Sequence, residues 1–371
     1  MIKVFASKTG PEEIDEVTLT LKSQWLGVGP KVASFEKELA ERNNFKSIVM
    51  TDSCSNSLYT AINCFRFPSG TEIILPSLTF VSCAHAIMLN NCIPVFCDVD
   101  IDTMNCSINT IEHLITPKTG AIMVVHYGGK PVNMKPLLEL GLPIIEDAAC
   151  AIDSKIDDLY CGGIGDIGCF SFDSMKNLSA GEGGAMTSTS QTTIERIKRL
   201  RYCGITKSGI DAAKDNKNRW WETEVLYPAI RQMPNDIIAS VALAQLRKLD
   251  KLQTIRKSIW NTYQKEFKEL PLRLPPNAAE NEQHSYFTYA VQFSHQDLSR
   301  DRFAKYLYDE GIYTTLRYYP IHMMKLYKPY SNRKLVATET LNEIALNLPI
   351  HPDLSDNDLD KIITTVKGFF K

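Results

Sequence analysis

No apolar run in this 371-residue chain approaches the roughly 20 residues that a membrane-spanning helix needs, so no membrane partner is expected. Charge of either sign is not in excess: 41 Lys and Arg stand against 43 Asp and Glu, which excludes the basic footprint of a nucleic-acid binder. The opening MIKVFASKTGPEEI lacks the charged-then-apolar layout of a secretion signal, and a cytoplasmic location is expected. Ten cysteines are present, but none form a Cys-x-x-Cys pair, and the chain is too long to read as a disulfide scaffold. Several, such as Cys64, Cys83, Cys97 and Cys169, sit in apolar runs and read as small buried hydrophobes. The seven histidines show no pair at helical ligand spacing, so no metal is expected. Internal repeats and low-complexity tracts are also absent.

What is present is an alternation. Ser47–Thr51, Glu72–Leu75, Ile93–Cys97, Gly120–Val125 and Pro143–Ile145 read as short apolar strands. Between them, Asn56–Phe65, Phe80–Asn90, Asn109–Ile115 and Val132–Leu140 carry helical patterns. Such alternation implies an α/β fold with a mostly parallel sheet covered by helices on both faces. Ahead of it, Pro11 at a first helical position opens a helix whose buried face is expected at Ile14, Val17 and Leu21. A second amphipathic helix carries Val32, Phe35 and Leu39. Thr206–Thr223 reads as a surface loop anchored by Trp220 and Trp221. Prolines 271, 275 and 276, then a fresh strand at Phe287–Phe293, mark a change of unit. The expected division is a large domain over 1–250 and a smaller C-terminal α/β domain over 251–371, with segment 1–30 free to pack on the latter.

In parallel sheets, ligands sit beyond the carboxyl ends of the strands. Asp52–Ser57, Pro76–Phe80, His126–Gly129 and Asp147 all fall at that edge. The stretch from Pro143 to Met186 is the most informative: it delivers Asp147 after one strand, Ser171 and Lys176 after another, then the turn Gly181-Glu182-Gly183-Gly184. A carboxylate, a hydroxyl and one lysine at sheet ends are the parts needed to hold pyridoxal phosphate (PLP). The carboxylate holds the ring nitrogen's charge, the hydroxyl meets the phosphate, and the lysine forms a Schiff base. Desolvation beside a cofactor is expected to strip the lysine of its proton. Cys54 and Ser55, in the Ser53–Ser57 run at a helix start, fit a phosphate site, though serine and asparagine there equally suit a simple helix cap. Phe80 is placed to stack on the ring. Trp25, in a glycine-punctuated turn, suits either a substrate pocket or plain packing. Gly163-Ile164-Gly165-Asp166-Ile167-Gly168 matches the dinucleotide fingerprint G-x-G-x-x-G, but it precedes a strand instead of opening a helix. We read it as a turn.

Taken together, these motifs resemble the DegT/DnrJ/StrS family of PLP-dependent nucleotide-sugar aminotransferases. The likeness runs from Trp25-Leu26-Gly27-Val28-Gly29-Pro30 through Pro76-Ser77-Leu78-Thr79-Phe80 and Val125-His126-Tyr127-Gly128-Gly129 to Leu348-Pro349. Glu146-Asp147-Ala148-Ala149 and Phe170-Ser171-Phe172 with Lys176 are its most specific parts. The resemblance implies PLP fold type I, Lys176 as the Schiff-base lysine and Asp147 as the partner of the ring nitrogen. It puts Cys54, Ser55 and Ser171 at the phosphate and Phe80 on the ring. Tyr318 and His322 fall in the strip that shapes the sugar pocket. It also implies a homodimer with shared active sites, in which Arg231 reaches the neighbour's phosphate. The implied substrates are a nucleotide-linked keto sugar and an amino-acid donor, glutamate. Two departures stand out: Cys150 where the family carries glutamine or histidine, and Cys54 where glycine is common. The alternatives are a sugar dehydratase of the same family, in which histidine commonly replaces the lysine, and a catalytically inactive regulatory relative. A nicotinamide oxidoreductase is a more distant alternative.

Overall fold

Runs of β-branched and apolar residues bounded by turn residues become strands, and their period-two alternation decides which core each side chain enters. The computed structural model of the chain describes residues 1–207, 219, 221–293 and 299–371. Its strands are β1 (Ile48–Thr51), β2 (Glu72–Pro76), β3 (Ile93–Cys97), β4 (Thr119–Val125), β5 (Ile144–Asp147), β6 (Lys155–Ile156) and β7 (Leu159–Tyr160). There follow β8 (Ile167–Ser171), β9 (Gly184–Thr187), β10 (Leu272–Arg273), β11 (Glu282–Gln283), β12 (Tyr289–Phe293) and β13 (Ala345–Leu348). Seven of these form one sheet, in the order β1-β9-β8-β5-β4-β2-β3. Its β3, β2, β4, β5 and β8 pair in parallel, while β9 runs back between β8 and β1, antiparallel to both.

Strand β4 shows how both faces are used. It sends Ala121, Met123 and Val125 into one core, with Leu58 and Ile62 of the helix Cys54–Phe65 and Ala84 and Ile87 of Val81–Leu89. It sends Ile122 and Val124 into another, with Val132 and Leu137. The expected parallel α/β sheet covered on both faces is the fold observed. Crossovers between parallel strands leave the carboxyl ends of β1, β2, β4, β5 and β8 on one edge. Because β9 is antiparallel, its first residue, Gly184, starts from that same edge.

A second sheet, β10-β12-β13, carries its own core, in which Trp260, Tyr263 and Phe267 pack on Tyr289, Val291 and Leu346. The chain start is stitched to this part: Tyr313 N–H donates to Ile2 O (2.9 Å) and Ile350 N–H to Val4 O (3.3 Å). Of the loop read over Thr206–Thr223, residues 208–218 and Trp220 lie outside the described residues.

Two expectations need correction. The helix Pro11–Lys22 buries Glu13 and Thr20, while Ile14 and Leu21 are exposed. Glu13 is drawn inward by Lys248 (2.6 Å) and Gln245 (2.7 Å), and Thr20 by Ser240 (2.6 Å), so polar pairing sets the rotation of this helix. The helix read over Val132–Leu140 shrinks to one turn, Lys135–Leu138. Upstream its backbone is already engaged: Val132 N–H donates to His126 Nδ1 (3.0 Å), and Asn105 Nδ2 donates to the carbonyls of Lys130 (3.0 Å) and Pro131 (3.2 Å).

Candidate active site

A cavity of about 520 Å³ opens at the sheet edge, and Asp147, Lys176, Cys54, Ser55, Phe80, Ser171 and Tyr318 all line it. That is within the size range of cofactor pockets. The sequence-derived candidates thus meet in one place, although Ser55 and Lys176 are far apart in the chain.

Each is positioned by its element. Ser53 caps the helix Cys54–Phe65, accepting from Asn56 N–H (3.2 Å), and the amides of Cys54 and Ser55 at the helix start have no partner within the helix. Ser55 Oγ lies 2.6 Å from Ser82 Oγ. The glycine turn closes on this loop through a bridge between Ser53 and Gly183. Only glycine fits at 184, since a Cβ there would sit 2.5 Å from the Ser53 carbonyl carbon and 2.6 Å from Cys54 N. The segment after β8 is pinned by Phe172 N–H to Gly183 O (2.9 Å) and Ala180 N–H to Phe172 O (2.8 Å), with Lys176 between the two ties. Phe80 is half exposed into the opening, tilted on Tyr318 at 5.5 Å between centroids.

Asp147 ends β5. Its Oδ1 accepts Ala149 N–H (3.0 Å) and its Oδ2 accepts the Cys83 thiol (3.0 Å). Lys176 is buried, with Nζ 3.4 Å from Cys150 Sγ and 4.8 Å from the Phe287 ring centroid. The loss of its proton expected from desolvation does not follow in the protein alone. Burial pulls the ammonium down, but the opposing influence of Cys150, Tyr318 and Asp147 outweighs it, and the lysine ends above its usual range. Burial pushes the Cys54, Cys83, Cys150 and Cys169 thiols up as well.

Three candidates lie elsewhere. His322 is buried between Ser77, whose Oγ is 2.5 Å from Nδ1, and Glu339, 3.5 Å from Nε2; it does not line the cavity. Trp25 is exposed, its indole N–H donating to Val28 O (3.0 Å). Arg231 is exposed and stacks on Tyr202 (5.3 Å), outside the cavity of its own chain. Glu146, inside the motif that carries Asp147, is structural: it is fully buried and faces the G-x-G-x-x-G turn. Gly162 N–H (2.8 Å), Ile164 N–H (2.7 Å) and Gly165 N–H (2.6 Å) all donate to its carboxylate. The glycines therefore wrap a carboxylate of this chain between β7 and β8.

The sequence reading missed Arg317. Its guanidinium lines the cavity, lies 4.1 Å from the Phe5 centroid and 5.7 Å from that of Phe287, and so shares the Phe287 ring with Lys176. It donates to Met175 Sδ (2.7 Å) and Tyr318 OH (3.4 Å), and among the described residues no acid pairs with it. Being next to Tyr318 was its one signal in sequence. Phe5 had none.

The donor set fits pyridoxal phosphate: helix-start amides with hydroxyls for a phosphate, an anchored carboxylate for a ring nitrogen, an aromatic face, and one buried amine.

Comparison with known proteins agrees. The model of the DegT/DnrJ/EryC1/StrS aminotransferase family matches residues 7–367. The chain is 34% identical over 367 residues to a Saccharopolyspora spinosa protein named dTDP-4-dehydro-2,3,6-trideoxy-D-glucose 4-aminotransferase, covering 97% of this chain and 94% of that one. Among solved structures, the aminotransferase TlmJ from Streptoalloteichus hindustanus superposes with a TM-score of 0.92 at 35% identity, covering 99% of this chain and 98% of that one. Helicobacter pylori PseC, an aminotransferase involved in the biosynthesis of pseudoaminic acid, gives 0.91 at 25% identity, with the same coverage of 99% and 98%.

Proposed function

Since the chain belongs to the DegT/DnrJ/EryC1/StrS aminotransferase family, and is therefore a PLP-dependent aminotransferase of fold type I, we propose that it moves the amino group of glutamate onto a nucleotide-linked keto sugar. The observation that carries this reading is the meeting of Lys176, Asp147 and Arg317 in one cavity. Bound pyridoxal phosphate supplies the electron sink that lets an amino group and a proton change carbons. The chain's residues do the rest. Asp147 would hold positive charge at the ring nitrogen, Ser55, Ser171 and the amides of Cys54 and Ser55 would hold the phosphate, and Phe80 would offer its face to the ring. Lys176 Nζ holds the cofactor and, once released, carries the proton at the reacting carbon. Phe5, Phe287 and Tyr318 wall off water on that side.

Arg317 supports an amino acid as donor. A donor's carboxylate is two bonds from its amine, so a guanidinium sharing an aromatic wall with Lys176 suits it, and among the described residues no acid competes for it. Arg317→Gln is expected to raise the KM for glutamate about ten- to a hundredfold, the worth of a charge-assisted contact of about 1.5–3 kcal/mol, while the keto sugar's KM is unchanged. Steady-state kinetics with each substrate varied checks this; an unchanged glutamate KM counts against it.

We also place a second copy against the exposed apolar strip of Ile14, Leu21, Trp25 and Leu26, with Arg231 reaching its neighbour's phosphate. A cytoplasmic setting is supported by ten cysteines that are all free thiols. The reading as a whole is tested by incubating the purified holoenzyme with glutamate and a panel of keto sugar nucleotides. Release of 2-oxoglutarate with one of them is the expected result, and none with any sugar refutes the proposal.

A further inference from the structure

The carboxylate of Asp147 is tied on both oxygens, and one tie is a thiol. The Ala149 amide on Oδ1 is backbone and would be there with almost any side chain. Cys83 on Oδ2 is different: it comes from another element, the helix Val81–Leu89, and is fully buried. Burial and the adjacent carboxylate push this thiol well up, so it remains an S–H donor. Its one proton goes to Asp147, which leaves the sulfur to accept from the Thr79 hydroxyl 3.1 Å away. Thr79, Cys83 and Asp147 therefore form a one-way relay of hydrogen bonds ending on the carboxylate.

We propose that Cys83 is a positioning residue, whose S–H fixes the plane of the Asp147 carboxylate so that a remaining lone pair faces the cavity. Each carboxylate oxygen has two acceptor sites. With one on each taken by Ala149 and Cys83, the others are aimed by those two bonds. Without the thiol, the carboxylate pivots on the Ala149 contact alone. A thiol is a weak donor, so it sets direction while drawing little charge from the carboxylate that must balance a ring nitrogen. The proposal rests on Asp147 being that ring partner.

The test compares Cys83→Val, which removes the donor and adds one methyl group, with Cys83→Ser, which keeps a donor, and Thr79→Val, which removes the upstream bond. The readouts are the dissociation constant for pyridoxal phosphate and the pH dependence of the bound cofactor's absorbance, with the thermal midpoint of the apoprotein as the folding control. Cys83→Val is expected to weaken cofactor binding about tenfold and to displace the spectral pH profile, with Cys83→Ser close to wild type. Thr79→Val is expected to shift the profile the same way by less. A wild-type profile and affinity in Cys83→Val overturn the proposal, as does a Cys83→Ser variant no better than Cys83→Val, because packing alone would then explain both. Should Cys83→Val fail to fold, Cys83→Ser and Thr79→Val decide: wild-type behaviour in the first with a shifted profile in the second supports the relay, and an unshifted profile in the second refutes it. Asp147→Asn separates the two layers. If it too leaves affinity and profile unchanged, the reading of Asp147 falls, and the role of Cys83 with it.

Discussion

Lys176→Ala is expected to abolish amino transfer, by about 10³-fold or more, while the apoprotein stays folded. The magnitude follows from the two roles proposed for this one amine, holding the cofactor and carrying the proton. The fold is expected to survive because the side chain's hydrogen bond is a single long one to Cys150 Sγ (3.4 Å), while the segment around it is held by backbone bonds that alanine keeps. The check is the first half-reaction: the spectrum of variant protein with added pyridoxal phosphate and excess glutamate, alongside the apoprotein melting curve. Turnover within about tenfold of wild type would remove Lys176 from the chemistry.

Glu146→Ala gives the largest loss of stability, about 3–5 kcal/mol. The side chain is fully buried, and besides the three turn amides it accepts from His126 Nε2 (2.9 Å). The tautomer is set from the other side, since Val132 N–H donates to Nδ1 and leaves the proton on Nε2. Alanine strands four donors at once, three of them buried and Ile164 N–H partly so. Glu146→Gln keeps one acceptor oxygen but turns an NH2 toward amide donors, so it is expected to lose roughly half as much. Urea unfolding of the apoprotein checks both, and a loss below about 1 kcal/mol for the alanine variant contradicts this account. Because Asp147 is the next residue on β5, the same variant is also expected to bind the cofactor more weakly.

The parts of the molecule legible in sequence share one property: their signal is local. The strands of the large sheet other than β9 announce themselves as short apolar runs, and the G-x-G-x-x-G turn is told from a nucleotide site by the strand that follows it. The residues around Lys176 and Asp147 are legible because they fall at strand ends, where parallel topology gathers them. What escaped depends on partners distant in the chain. The helix Pro11–Lys22 is turned by Gln245 and Lys248, which no periodicity in its own residues reveals. The shortened helix near Leu137 fails because Asn105 and His126 have taken the backbone just upstream. Cys83 reads as one more buried hydrophobe until the fold lays it against Asp147, and Arg317 reads as surface charge until Phe5 arrives from the other end of the chain.

The place of β9 bears on the order of synthesis. Strand β1 pairs only with β9 in the large sheet, Ile48 opposite Thr187, so the first strand off the ribosome waits for the last before it has a neighbour. Until then Ile48–Thr51 is an unpaired, apolar edge, the kind of segment that recruits other chains. The strand whose arrival pairs one side of β1 also draws the glycine turn against Ser53. A nascent chain thus pairs its first strand and closes the loop around Ser53 at the same moment.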